Sequence, residues 1–193
     1  NYSLGMVMEK DAGETRINDH LLVSGKVVLP KINSTLYAGS FNFEAGQGLV
    51  FWGPFRLTKG VEPVQAMEKT GKGLYSFTSS SEYSGYNGVG ISSHFGMWDV
   101  AAFYSATKLD ASTKDTSVTS LDLSGLHRTE SELAKENQLT EKVAGFALGA
   151  DYKNASVQLV LQSSQYDKAF QTSEKLSQKY DFTGKQNSVA GIN

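Results

Sequence analysis

The stretch Trp98-Asp99-Val100-Ala101-Ala102-Phe103-Tyr104-Ser105-Ala106-Thr107 decides the fold. Successive side chains of an extended chain point to opposite sides. Trp98, Val100, Ala102, Tyr104 and Ala106 therefore share one face, and Asp99, Ala101, Phe103, Ser105 and Thr107 share the other. Gly96-Met97 leaves room for nothing but a tight turn, and residues 85–95 before it read as the preceding strand.

Working outward from this hairpin, the same reading predicts strands over 1–9, 20–29, 34–44, 142–152, 155–166 and 187–193. The gaps alternate in length. Residues 10–19, 45–84, 108–141 and 167–186 are long connections, whereas 30–33, 96–97 and 153–154 are short. A meander with its tight turns at one end and its long loops at the other is the organisation of a transmembrane β-barrel. Soluble sandwiches and barrels have no reason to sort loop lengths in this way.

Each predicted strand has one apolar face and one polar or small face. Tyr2, Leu4, Met6 and Met8 oppose Ser3, Gly5 and Glu9, while Leu21, Val23, Val27 and Leu29 oppose Ser24 and Lys26. Phe146, Leu148, Ala150 and Tyr152 oppose Val143, Gly145, Ala147, Gly149 and Asp151. Val157, Leu159 and Leu161 oppose Ser156, Gln158, Gln162 and Ser164. A half-buried antiparallel sheet of a soluble protein gives the same alternation. Strand length separates the two: these runs are about 9–12 residues, enough for a tilted bilayer crossing, whereas soluble strands average about 5–6. Tyr2, Trp98, Tyr104, Tyr152 and Tyr166 lie near strand ends, where interfacial girdles place aromatics.

Composition bounds the rest. Nineteen glycines and nine tyrosines against three prolines fit a Gly- and aromatic-rich sheet in a chain of 193 residues. There is no cysteine, which excludes disulfides and thiolate metal sites. A net charge of −2 recommends neither nucleic acid nor an anionic membrane surface as a partner. No run of about 18 apolar residues is present, so a transmembrane helix is not expected. A slightly negative mean hydropathy is compatible with a barrel, whose strands alternate. The chain begins at Asn1 without a signal peptide, as expected for a mature form or a fragment.

In the loop 45–84, Pro54 prevents a central strand from continuing, so the apolar run Gly46–Phe55 is expected to extend a strand and then fold back. Pro63 suits the first position of a short helix over Glu62–Met67. In the loop 108–141, Thr129 and Glu132 form a T-x-x-E capping box and predict a helix over about 130–137, with Glu130 and Glu132 at its positive end. Leu133 alone gives that helix little apolar face, so it either rests on the rim or stands in solvent. The polar gap 167–186 reads as a loop.

The search for chemistry yields little. The histidines are His20, His94 and His127. Ser92 and His94 share a strand face, with Asp99 on the same face of the next strand; Ser93 points away. A hydrolase needs such a set, but a polar interior residue is the more economical reading of His94. His127-Arg128 precedes the helix start and reads as loop packing rather than anion binding. No metal-ligand spacing or phosphate-binding loop occurs, and Gly46-x-Gly48 is followed by aromatics rather than a helix. Two N-x-S/T sequences, at Asn33 and Asn154, fall in short turns and read as coincidence. Basic residues are scattered, which argues against direct nucleic-acid binding.

Three runs carry a resemblance to a known family: GQGLVFWGPFRLTKG (46–60), WDVAAFYSATKLDAS (98–112) and SGLHRTESELAKEN (124–137), with LGMVMEKDAGE (4–14) in support. In matching order, and covering most of the chain, they resemble a Bacteroidota outer-membrane β-barrel family usually described as helix-hairpin-helix domain proteins. The helix-hairpin-helix domains themselves are not in this chain, and the barrels of that family exceed eight strands. The chain also stops at Gly191-Ile192-Asn193 rather than at an aromatic residue of the kind that outer-membrane assembly reads. The expectation is an interior segment of a longer barrel. The resemblance implies a location and a fold, not a reaction.

The expected fold is thus all-β: an antiparallel up-and-down transmembrane β-barrel, or a segment of a larger one, with one short loop helix. Residues 1–193 are expected to form a single β-barrel domain or barrel segment with long loops at 45–84 and 108–141, and the expected role is a passive channel, an accessory subunit or a scaffold of an envelope complex. No catalytic, cofactor or metal site is expected. Membrane lipid and other outer-membrane or periplasmic proteins are the expected partners. The 45–84 loop is expected to enter or cover the lumen, with Arg56, Lys59, Glu44 and Lys26 setting its electrostatics. A soluble lipocalin-like or sandwich binding module is the alternative, and requires apolar residues to face inward. A barrel hydrolase using Ser92 and His94 is a further one.

Overall fold

A computed structural model describes residues 1–10, 20–53, 70–79, 85–114, 116–153, 155–171 and 180–193. All eight strands read from the sequence are present: β1 (Tyr2–Glu9), β2 (His20–Leu29), β3 (Ser34–Glu44), β5 (Tyr86–Phe95), β6 (Trp98–Leu109), β9 (Leu139–Tyr152), β10 (Ala155–Phe170) and β11 (Gly184–Ile192). Three short strands were not legible: β4 (Gly73–Ser76), β7 (Ala111–Lys114) and β8 (Ser117–Leu121). The connection at 30–33 is a single 3-10 turn, Pro30–Ile32, closed by Asn33 in the left-handed region at φ 46°. The helix α1 covers Glu130–Leu133 and has both halves of the capping box. It ends earlier than expected, and Leu133 stands 42% exposed. The expected helix over 62–67, together with Arg56 and Lys59, lies outside the described residues.

The strands form one 11-stranded sheet, mostly antiparallel, whose spine runs β1-β2-β3-β5-β6-β9-β10, with β11 on β10 and β4 on β3. The single parallel contact joins β10 to β8. Among the described residues the sheet is not closed: β1 pairs only with β2, and β11 only with β10.

The register turns the alternation into rows. One row runs Tyr2–Val27–Leu36–Ile91–Ala102–Phe146–Leu161–Ala190 across eight strands. A second row on the same face carries Val100, Leu148, Leu159 and Ile192, and a third carries Phe95, Trp98, Ala150 and Val157. This outward face is bare: Tyr2 is 88% exposed, Val157 58%, Val89 59% and Leu161 41%. Toward the long-loop end it gives way to the polar set Ala106–Lys142–Gln165–Gln186. Rows on one face are two residues apart, so the apolar band extends about 20 Å along the central strands and about 27 Å along the β1–β2 hairpin.

The opposite face is where the core lies. Its rows read Lys26–Tyr37–Gly90–Phe103–Gly145–Gln162–Val189 and Val28–Thr35–Ser92–Ala101–Ala147–Val160–Gly191. The main cluster of buried residues, including Tyr37, Phe41, Phe43, Phe51, Phe103, Val143 and Val160, sits on this face. Burial therefore alternates with the pleat, but the large aliphatic side chains are mostly on the unburied side.

Candidate functional site

The inward face is covered by the chain's own plug. At Gly39 the φ angle is +82°, and a Cβ there would stand 2.1 Å from the Val23 carbonyl oxygen, so only glycine lets β3 leave β2 at this point. Beyond it β3 pairs with β4 instead, through Phe41↔Ser76 to Glu44↔Gly73. Residues 45–53 then fold back over the sheet, and Phe51, Phe43 and Phe41 close around Phe103 with ring centroids 5.4, 5.5 and 5.5 Å away. Such tilted and edge-on pairs each add about 0.5–1.5 kcal/mol beyond area burial. The plug reaches both edges of the sheet: the position a Cβ would take on Gly5 of β1 meets Thr78, and that on Gly191 of β11 meets Val50. The described parts of the 45–84 loop thus lie on the inward face. Of the residues expected there, Glu44 is buried and Lys26 shares the row of Tyr37 and Phe103.

Glu44 is held inside the plug. The Tyr75 hydroxyl donates to its Oε1 at 2.8 Å, and the Lys72 amide donates to Oε2 at 3.4 Å. Burial, followed by the Glu44 carboxylate, pushes the Tyr75 hydroxyl well above its usual range, so it stays a donor. Gly53 closes this corner, because a Cβ there would lie 2.5 Å from Glu44 Oε1.

Between plug and sheet, toward the short-turn end, lies a cavity of about 680 Å³. Its sheet wall is the row His94–Asp99–Gly149–Gln158, extended to Asn193 by two backbone hydrogen bonds of 3.0 and 2.9 Å between Gln158 and Asn193. His94 Nδ1 lies 2.8 Å from Asp99 Oδ1, and both side chains are about half exposed (53% and 50%). The structure thus brings together the His94–Asp99 pair that the strand faces predict. Ser92 lines the same cavity, but it hydrogen-bonds the Tyr37 hydroxyl. The sequence puts Gln158 on the polar face, but nothing in it announces that Asn193 stands beside it; only the sheet register does.

The long-loop end carries a second built region, a cap over residues 110–138. Asp110 is its anchor: His127 Nε2 lies 2.5 Å from Asp110 Oδ2, with both side chains nearly buried, and the Asn137 amide donates to Oδ1 at 2.7 Å. His127 therefore serves loop packing, as its sequence context suggests. Asp122 accepts from the Ser124 amide and hydroxyl and from Lys135 Nζ at 3.2, 2.7 and 2.8 Å. Those bonds, the lysine first, hold its carboxyl at about 2. Ala111, Val118 and Leu139 form a small core under the cap, with Leu109, Tyr166 and Phe170 against it. Among the described residues no group of His, Asp and Glu is arranged to hold a metal ion.

Taken together, the fold and this site define a mostly β protein whose single sheet has one bare apolar face, one face covered by the chain's own residues 45–53 and 70–79, and a cap at the long-loop end. No family model, curated protein or solved structure matches the chain.

Proposed function

We propose that the chain is part of the wall of an outer-membrane β-barrel whose interior is occupied by its own plug. It serves as a scaffold or accessory subunit of an envelope complex rather than as a permanently open pore. The observation that carries this reading is the sheet's inverted burial. Val157, Leu161, Val89 and Tyr2 stand in the open on one face, while Ser24, Ser105 and Ser164 are buried on the other. Water does not favour a continuous apolar surface of this kind, whereas hydrocarbon matches it. Exposed Phe95, Trp98 and Tyr152 at the short-turn end suit a girdle at one interface. The aromatic plug that spans the inward face from β1 to β11 supports the closed state. The resemblance of the 46–60, 98–112 and 124–137 segments to an outer-membrane barrel family points the same way.

The alternative of a soluble binding module needs Val157 and Leu161 inside, against the core. Expression separates the two readings. A membrane wall aggregates without detergent, fractionates with the outer membrane when exported, and runs faster on a gel unheated than boiled. A monodisperse, detergent-free monomer in the aqueous fraction overturns the proposal.

A further inference from the structure

The cavity at the short-turn end holds an unusual group of polar atoms. Gln158 Oε1 and both side-chain atoms of Asn193 are buried without a hydrogen-bond partner; among the described residues only Ser24 Oγ shares that condition. Leaving such atoms unpaired costs free energy, and each instance asks for an explanation. The cause here is the foot of the plug: a Cβ on Gly46 would lie 2.4 Å from the Asn193 amide, so the chain at Gly46 presses directly on it. The contact covers these polar atoms at one spot, next to a space large enough for a small molecule. A volume of about 680 Å³ falls within the range of known small-ligand sites.

The lining indicates what fits. Glu44, Asp99 and Asp151 face the cavity against Lys72, which disfavours an anion. Asp99 is engaged by His94 and Glu44 by Tyr75, so of the three carboxylates Asp151 alone, itself exposed, is left to face a cation, and one carboxylate makes no cation site. The buried groups without a partner here are the carboxamides of Gln158 and Asn193, a residue type that is both donor and acceptor, and hydroxyl groups match that dual character. Gly149 lies between Asp99 and Gln158, and a Cβ there would only touch them at 3.7 and 3.6 Å, so the row has a gap at this point.

We propose that this cavity binds a neutral polyhydroxylated ligand, a saccharide of one or two rings, which lifts the Gly46-Gln47 foot of the plug and hydrogen-bonds Gln158 and Asn193. The inference concerns the inward face alone and does not depend on what covers the outward one.

Trp52 reports the event. It packs on Gly48 in the plug, and the chain has just two tryptophans, so Trp98→Phe leaves it alone. The full chain in detergent micelles is titrated with glucose and maltose, with glucuronate and choline as charged controls, and followed by Trp52 emission and calorimetry. The expected result is saturable binding of at least one sugar, with both charged controls at least tenfold weaker. Gln158→Leu removes a buried unpaired atom. It is expected to raise the melting temperature of the ligand-free protein and to weaken sugar binding at least tenfold, a combination that a purely structural role does not give. Gly149→Val closes the gap and abolishes binding, which keeps the test decisive if Gln158→Leu does not fold. Absence of saturable binding by either sugar, charged controls that bind as tightly, or sugar binding unchanged in the folded variants overturns the proposal.

Discussion

Phe103 has Gly90 on one neighbouring strand and Gly145 on the other, and the second glycine is indispensable. A Cβ on Gly145 would stand 2.1 Å from Phe103 Cε1, so the ring lies flat across the bare backbone. From there it meets Phe41, Phe43, Phe51 and Tyr86, which makes it the residue that joins wall to plug. Phe103→Ala is expected to destabilise the protein by about 3–5 kcal/mol, the usual cost of emptying an aromatic core site. Gly145→Val is expected to cost about 1–3 kcal/mol by overpacking. Because the two changes act on one contact, their effects are not additive: in the double variant the valine enters space the ring has left. Denaturant unfolding of the four proteins in micelles checks this, and simple addition of the two losses would refute the contact's role. Tyr75→Phe makes a separate test of the plug. It strips Glu44, buried at 6% exposure, of its 2.8 Å donor, and a loss of about 1–3 kcal/mol is expected.

At the scale of elements, the cap over 110–138 is held by two aspartates rather than by a core of any size. Asp122 titrates at about 2 in the folded protein against an ordinary 3.8. A depressed carboxyl contributes stability that is present above the ordinary value and is lost as pH falls toward the folded one. The cap is therefore expected to loosen between about pH 4 and pH 2, seen as faster amide exchange over 117–135 while the sheet stays protected. Asp122→Asn is expected to loosen it at neutral pH as well; exchange unchanged in that variant would show that the Lys135–Asp122 contact does not hold the cap. These elements also mark where sequence reading stops. The eight long strands are legible because each carries enough alternating positions to define two faces. The short strands β7 and β8 are not, since Ala111-Ser112-Thr113-Lys114 and Ser117-Val118-Thr119-Ser120-Leu121 are too short and polar to show a period. Their pairing follows from Asp110 and Asp122, tertiary contacts that no local pattern announces. The capping box fixes where α1 starts, but its end is set from outside: the Lys135 carbonyl accepts from the Ala111 amide, and Asn137 turns at φ 56°. The His94–Asp99 pair was legible from strand parity, whereas the plug's seat on Phe103 depends on a reversal at Gly39 that parity does not contain.

For the whole molecule, the question is which solvent the outward face meets. Leu161 belongs to the row Tyr2–Val27–Leu36–Ile91–Ala102–Phe146–Leu161–Ala190, which crosses all eight long strands, with Leu159 and Val157 in the rows toward the short turns and Ser163 in the next row toward the long loops. Its neighbour Gln162 points to the inward face, beside Gly145 and Val189. An arginine at a lipid-facing midplane site costs about 2–4 kcal/mol, whereas one facing the interior of a barrel is tolerated. Leu161→Arg is thus expected to impair insertion into lipid vesicles and lower the yield of heat-modifiable protein, with Gln162→Arg close to the parent. If water covers this face instead, the order reverses. Leu161 is 41% exposed, so a charge there would be harmless or improve solubility, while an arginine at position 162 would enter the packed side. Orientation follows from the same arrangement. Cysteines placed at Lys114, in the cap, and at Met97, in the short β5–β6 turn, lie at opposite ends of the sheet. An impermeant reagent on intact cells is expected to label position 114 and spare position 97. Labelling of 97 alone reverses the topology, and equal labelling of both means that no membrane separates the two ends.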